Sequence, residues 1–249
     1  MKRSTLWLVF LRSLFIQAGF SPEALQTLGL LYALEPALAE LYPDPVARRA
    51  ALQRHLTPFN THPYVASGLV GGILFHEVRV ARGEEPETAV IHFKQSLMGP
   101  LAALGDGFFW LSLRPAVGAL AVLLVPFIHV WAAVVFFVAF NVVHVWLRAW
   151  LFLSGWRLGD AMVGRLRAAH LPVWSNRLRT LAAGCAGMVG AWLAVRFAVQ
   201  AGGPITPWLA VIAGAVGVVT LVLAERRVAP IWLMYGLAAM AVVAGMALG

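Results

Sequence analysis

Charge is what this sequence has least of. Of its 249 residues only 12% are Asp, Glu, Lys or Arg, while 61% are hydrophobic; a soluble domain carries about 25% charged and about 45–50% apolar residues. So few charges cannot furnish a water-facing surface all round, and the chain reads as an integral membrane protein. The same apolar content excludes intrinsic disorder. The one cysteine, Cys185, excludes a disulfide scaffold and, among Gly and Ala, reads as a small core residue. Lysine is nearly missing as well. Neither Lys2 nor Lys94 follows a glycine, so no Gly-rich loop ending in Lys-Ser or Lys-Thr is present to cradle a nucleotide phosphate, and ATP hydrolysis is not expected. The seven histidines lack His-x-x-x-His spacing in a carboxylate-rich helix, so no metal site is expected. No cofactor and no catalytic residue is expected either.

What charge there is leans basic, 19 Lys and Arg against 11 Asp and Glu for a net of +8. The basic residues form no stripe with interleaved aromatics, so nucleic acid is not an expected partner. They sit between apolar segments, as in the cytoplasmic loops of a membrane protein. Met1-Lys2-Arg3 precedes an apolar stretch that Arg12 interrupts, without a small-residue cleavage site, and no removable signal peptide is expected.

Composition shifts near Arg114. Residues 1–114 hold nearly all the acidic side chains and predict amphipathic and re-entrant helices; residues 115–249 are almost continuously apolar and predict spanning helices. The expected fold is therefore all-α and polytopic, in two regions divided at 114/115. Ser21-Pro22-Glu23 has the form of a helix start, and Pro36 is expected to kink or end the helix that follows. Asp44-Pro45 begins another, with Arg48, Arg49 and Arg54 on a basic amphipathic helix expected at the cytoplasmic interface. Three spans are expected at about Leu181–Val195, Trp208–Ala224 and Val228–Leu248. Arginines crowd the connector at 156–180 and recur at Arg226-Arg227, whereas Gln200–Pro207 carries no charge. This alternation puts the N-terminus and the 156–180 connector inside and the C-terminus outside. The uncharged run 115–147 is long for one span and short for two, and predicts a hairpin of short helices meeting near Pro126. Gly68 and Gly72 are four apart, a spacing that lets helices approach closely; the alternative is that Gly and Ala are simply common in this chain.

Polar residues stand out where polarity is costly. In Thr57-Pro58-Phe59-Asn60-Thr61-His62-Pro63-Tyr64 two prolines disfavour helix just before them, and Asn60, Thr61 and His62 bring the mixture of donors and acceptors that a polyhydroxyl ligand needs. A capped, solvated loop is the alternative. In Leu97–Trp110, Gly99-Pro100 and Gly105-Asp106-Gly107 are expected to break the helix around a carboxylate. Asp106 has three open roles: accepting hydrogen bonds from sugar hydroxyls, capping a half-helix, or pairing with Arg114. Glu77 either pairs with Arg79 or Arg82 or reaches the same cavity. His129 and His144 read as packing residues within apolar helix.

These pieces, in this order, resemble the IID membrane subunit of the mannose–fructose–sorbose class of the bacterial sugar phosphotransferase system. The resemblance is carried by Phe10-Leu11-Arg12-Ser13 with Gln17, Gln26 and Gly29, by Leu41-Tyr42-Pro43, and by Arg54-His55-Leu56 running into Phe59–Ala66. It continues through Leu97-Met98-Gly99-Pro100-Leu101-Ala102, Gly105-Asp106, Phe109-Trp110 and Arg114-Pro115 to Arg226–Trp232. It implies a subunit of the bacterial inner membrane that forms a sugar translocation path with a IIC membrane partner. It also implies docking of soluble IIA and IIB phosphocarriers, a hexose-type sugar, and a trimer of IIC–IID pairs in the lipid bilayer. The subunit itself is then not phosphorylated, and Asn60, Thr61, His62, Asp106 and Glu77 are the candidate sugar contacts. His55, beside Arg54, is expected to dock or pack. Departures from the family pattern are His62 where Gln is usual, Gly107 where Pro is common, Ala103-Leu104 in place of a more glycine-rich pair, and a short Gln200–Pro207. A second reading is a membrane scaffold or sensor that keeps the IIC partner without active transport. A stand-alone secondary transporter is weaker, because no intramembrane acid–base chain follows residue 115.

Overall fold

The structure is a computed structural model and describes residues 1–200, of which Met1–Val189 form one compact unit. The described residues are helical: α1 (Arg3–Ser13), α2 (Thr27–Leu41), α3 (Pro45–Arg54), α4 (Ala66–Ala81), α5 (Glu87–Gly105), α6 (Arg114–Ile128), α7 (Trp131–Leu158), α8 (Met162–Ala168) and α9 (Leu171–Gln200). Among them, two helical stretches, Glu87–Ile128 and Trp131–Gly190, are long and apolar enough to cross a membrane.

The centre is α4. Every residue from Ala66 to Leu74 is buried, and α4 packs chiefly on α7 and also on α5, α2 and α1. Glycine makes that approach possible. A Cβ on Gly71 would strike the Phe152 carbonyl, and one on Gly155 would strike the backbone of Gly68 and Gly72. The small residues read from the sequence therefore do bring two helix backbones together. The outward faces of α6 and α7 carry Val122, Val125, Phe137, Val142 and Trp146 exposed, a surface suited to lipid rather than water.

Local starts and stops separate the expected from the observed. Asp44 caps α3 as expected, its carboxylate accepting from the Ala47 N–H at 2.8 Å, with Pro45 at the first helical position. Ser21 accepts from the Ala24 N–H at 3.0 Å, but Leu25 takes φ +53° and α2 begins only at Thr27. The hydroxyl caps a turn, not the helix. Pro36 lies inside α2 and does not end it.

The expected breaks at Gly99-Pro100 and Gly105-Asp106-Gly107 are also corrected: Pro100 lies inside α5. The chain stays helical from α5 to α6 through a π-helical segment, Asp106–Leu113. Within this wider turn the Ser112 hydroxyl donates to the Gly107 carbonyl at 2.7 Å. The hairpin in 115–147 exists but turns at His129 (φ +48°), three residues beyond Pro126, with unequal arms in α6 and α7. One missing N–H near the end of α6 does not break the helix; the left-handed residue does. The expected span Leu181–Val195 lies within α9. The other two, Trp208–Ala224 and Val228–Leu248, fall outside the described residues.

Candidate functional site

The segment between α3 and α4 is irregular, and α2 holds it in place. Gln26 grips Thr61 at two points, its side-chain N–H₂ donating to the Thr61 carbonyl at 2.7 Å and its Oε1 accepting from the Thr61 N–H at 3.0 Å. The Gln26 N–H donates to the Phe59 carbonyl at 2.9 Å, and the Phe59 N–H to the Thr27 hydroxyl at 3.0 Å. Backbone groups that two prolines leave without helical partners are thus satisfied inside the protein.

His62 sits behind this brace, nearly flush against the π segment. A Cβ on Gly105 would meet its ring, so glycine there is a space requirement. The imidazole stacks on Phe109 with centroids 5.2 Å apart at 10°, and meets Tyr64 and Trp110 at 5.2 and 5.3 Å. Its Nδ1 accepts from the Tyr64 N–H at 3.2 Å, while Nε2 is buried without a hydrogen-bond partner, 4.0 Å from a carboxylate oxygen of Asp106. Burial pulls the ring's pKa down to about 4, against the opposing attraction of Asp106, so the imidazole is neutral near pH 7. The Thr61 hydroxyl is likewise buried without a partner. Asp106 is 57% exposed, and Asn60 is exposed. The π segment turns Phe108 and Phe109 inward and leaves Asp106 and Trp110 at the surface. The result is a polar edge above an aromatic wall, with two buried polar atoms awaiting partners.

Glu77 lies elsewhere. It is wholly buried; its Oε1 is 2.9 Å from His55 Nε2 and 3.4 Å from Arg54 Nε, and its Oε2 accepts from the Tyr42 hydroxyl at 2.7 Å. Burial lowers the pKa of His55 and, with Glu77 as acceptor, raises that of Tyr42. His55 therefore donates as a neutral imidazole, and Arg54 supplies the charge opposite Glu77. The expected pairing with Arg79 or Arg82 is corrected: Arg79 ties instead to Glu85, which also meets His76 at 2.7 Å. Arg79 and Arg82, two and five residues on, extend to the surface, whereas Arg54 reaches the buried Glu77 from α3. Of the five candidates, Asn60, Thr61, His62 and Asp106 share one neighbourhood, and Glu77 belongs to another.

Arg148 was not a candidate, yet it anchors the site. Its guanidinium donates to the Pro63 carbonyl at 2.8 Å and lies 4.9 Å from the Tyr64 ring centroid, while its own carbonyl accepts from the Ser67 hydroxyl at 2.9 Å. A lone arginine deep in an apolar helix was the available signal. The Tyr64–Phe109–Trp110 wall was present in the sequence only as residues shared with a family.

A model of the PTS system mannose/fructose/sorbose family IID component matches residues 1–249. The chain is 37% identical over 157 residues to the PTS system mannose-specific EIID component of Escherichia coli K12, covering 62% of this chain and 56% of that protein. It is 36% identical over 156 residues to the sorbose-specific EIID component of Klebsiella pneumoniae, covering 62% of this chain and 57% of that one. The aligned part thus spans a little over half the length of these relatives. Among solved structures, a chain of the mannose transporter ManYZ in complex with microcin E492 aligns at 27% identity with a TM-score of 0.62, covering 100% of this chain and 97% of that one.

Proposed function

This chain belongs to the PTS mannose/fructose/sorbose family of IID components, and on that premise we propose that it is a multi-pass subunit of the bacterial inner membrane that builds a sugar translocation path with a IIC partner. The observation that carries the reading is the half-built polar site: unpartnered Thr61 Oγ1 and His62 Nε2, with exposed Asn60 and Asp106, above Tyr64, Phe109 and Trp110. Aromatic faces with a few placed polar groups are the chemistry of a site for a small ring-shaped polyol. A hexose-type sugar would supply hydroxyls to both kinds of group, and a second subunit would close the open side. Residues 1–114 would present the sugar contacts and 115–249 the membrane anchor. Glu77 supports these contacts through the scaffold and does not touch the sugar. Family membership favours this reading over a scaffold without transport.

The soluble IIA and IIB proteins would carry the phosphate, in a trimer of IIC–IID pairs. His55 is buried against Glu77, which suits packing and not phosphate acceptance. Two experiments test the division of labour. Purification in mild detergent should bring a IIC-type partner with this chain. In membranes supplied with radioactive phosphoenolpyruvate, the general phosphotransfer proteins, IIA and IIB, label should reach those proteins and the sugar. Stable label on this chain, lost in His55→Ala, would refute the assignment.

A further inference from the structure

A groove between α1 and α7 lies apart from both polar clusters. The two helices run antiparallel, and their register is fixed at successive levels. Arg148 Nη1 donates to the Leu14 carbonyl at 3.4 Å, the Phe10 and Phe152 rings stand 5.3 Å apart, and Arg3 and Arg157 line one cavity of about 380 Å³. Seven residues of α1 separate Phe10 from Arg3, and five of α7 separate Phe152 from Arg157, about 10 and about 8 Å of helix. Both arginines therefore stand at the same end of the groove, beside the N-terminus and the arginine-rich connector that charge asymmetry assigns to the cytoplasmic side.

The walls of the groove are apolar and open outward: Trp7 is 63% and Leu153 41% exposed. Arg3 and Arg157 are exposed, and among the described residues neither has an acidic partner. The acid on the neighbouring helix is engaged: Glu40 accepts from the Lys2 N–H at 2.7 Å and the Thr5 hydroxyl at 2.5 Å, and lies 3.7 Å from the N-terminal amine. Two uncompensated guanidinium groups thus stand at one end of an open apolar groove, the end at which the arginine asymmetry predicts the cytoplasmic headgroups. Guanidinium groups bind phosphate oxygens in pairs, and tryptophan favours the interface between headgroups and acyl chains.

We propose that this groove binds an anionic phospholipid, with its headgroup phosphate between Arg3 and Arg157 and an acyl chain along Trp7, Phe10, Phe152 and Leu153. Net charge on the ligand matters because both arginines lack counter-charges; a zwitterionic headgroup brings its own cation and gains less.

The test uses the full chain extracted in mild detergent with whatever membrane partner it carries, stripped of lipid and then titrated with phosphatidylglycerol or phosphatidylcholine. Native mass spectrometry reads bound lipid, and melting temperature reads its effect. Retention of phosphatidylglycerol at least fivefold above phosphatidylcholine is expected. Arg3→Gln with Arg157→Gln should erase that preference, and Arg3→Lys with Arg157→Lys should keep most of it. Ala149→Trp, which fills the groove without touching charge, should weaken both lipids. Should the glutamine pair fail to fold, the lysine pair and Ala149→Trp decide the matter. No headgroup preference in the unmodified protein, undiminished binding in Ala149→Trp, or equal displacement by glycerol phosphate lacking acyl chains would each overturn the assignment.

Discussion

Glu77 and His62 are both buried polar groups on the same helical scaffold, fed by neighbouring stretches of the chain that joins α3 to α4, and their surroundings differ in kind. Both carboxylate oxygens of Glu77 are engaged, by His55 and Arg54 on one side and Tyr42 on the other, and none of the side chain meets solvent. His62 is packed as tightly by aromatic rings, yet its Nε2 and the adjacent Thr61 hydroxyl have no partner, and an exposed carboxylate stands 4.0 Å away. Buried polar atoms are ordinarily satisfied, because each one left unpaired costs about 1–3 kcal/mol. The Glu77 cluster also keeps unpartnered atoms, among them His55 Nδ1, so what sets the other, open cluster apart is its edge. Exposed Asn60 and Asp106 stand beside the buried Thr61 and His62, where a ligand can reach them, whereas the Glu77 carboxylate is wholly enclosed in a structural lock.

The comparison breaks most forcefully at Glu77. Glu77→Ala leaves the buried Arg54 with only the exposed Glu87, 3.0 Å from its Nη1, and takes away the acceptor of His55 and Tyr42. Losing one partner of a buried ion pair costs about 3–5 kcal/mol, and the remaining Glu87 contact puts this case toward the lower end. The expected result is loss of a monodisperse assembly in detergent or a large drop in melting temperature; an unaltered melting curve would remove Glu77 from the lock. Next comes the glycine contact that holds α4 to α7. Gly155→Val pushes a side chain into the backbone of Gly68 and Gly72 and should cost about 1–3 kcal/mol or more, read by the same melt.

At the open cluster the effect should move from stability to transport. Asn60→Ala and Asp106→Asn each remove one hydrogen-bonding group from exposed positions, so assembly should be unchanged while apparent sugar affinity falls about 5- to 150-fold, the equivalent of about 1–3 kcal/mol. Uptake by membrane vesicles measures it. Normal uptake by both variants, properly assembled, would leave the open cluster without a sugar.

The smallest effect is on pH dependence. Burial holds the pKa of His62 near 4, below its ordinary 6.5, and lowers that of His55 too. Between those two values the unfolded chain binds more protons than the folded one, so the contribution to stability is present above about pH 6.5 and is lost as pH falls toward 4. His62→Gln, the residue usual at this position in the family, should flatten part of the acid limb of a melting-temperature profile. His55 retains the rest. An identical acid limb in both proteins would mean that His62 is solvated.

Much of this was legible along the chain. The membrane character, the cap at Asp44 and the close-packing glycines followed from composition and spacing, and the segments that carry His62 and Asp106, 4.0 Å apart in the fold, were singled out by their polarity and shared motifs. The misreadings concern backbone breaks. Gly105-Asp106-Gly107 looks like an interruption, but a π-helical turn absorbs it without leaving the helix. Pro126 looks like a corner, but the corner is His129, whose left-handed backbone no propensity announces. For Glu77 the sequence leaves two roles open, pairing with Arg79 or Arg82 or reaching the sugar cavity, and local spacing cannot show Arg54, His55 and Tyr42, which meet it instead.

What the sequence determined by itself is what depends on residue type and short period: too few charges for water and apolar helices for a bilayer. What the tertiary structure alone decided is which polar groups meet. Arg54 and Tyr42 reach Glu77 from α3 and the end of α2, Gln26 braces Thr61 across 35 residues, and Arg148 ties the site to α7 from 85 residues beyond Pro63. Those pairings depend on how helices cross and on the backbone distance that glycine permits. Buried charges and hydrogen-bonding groups find their partners in space, and sequence separation carries no record of that.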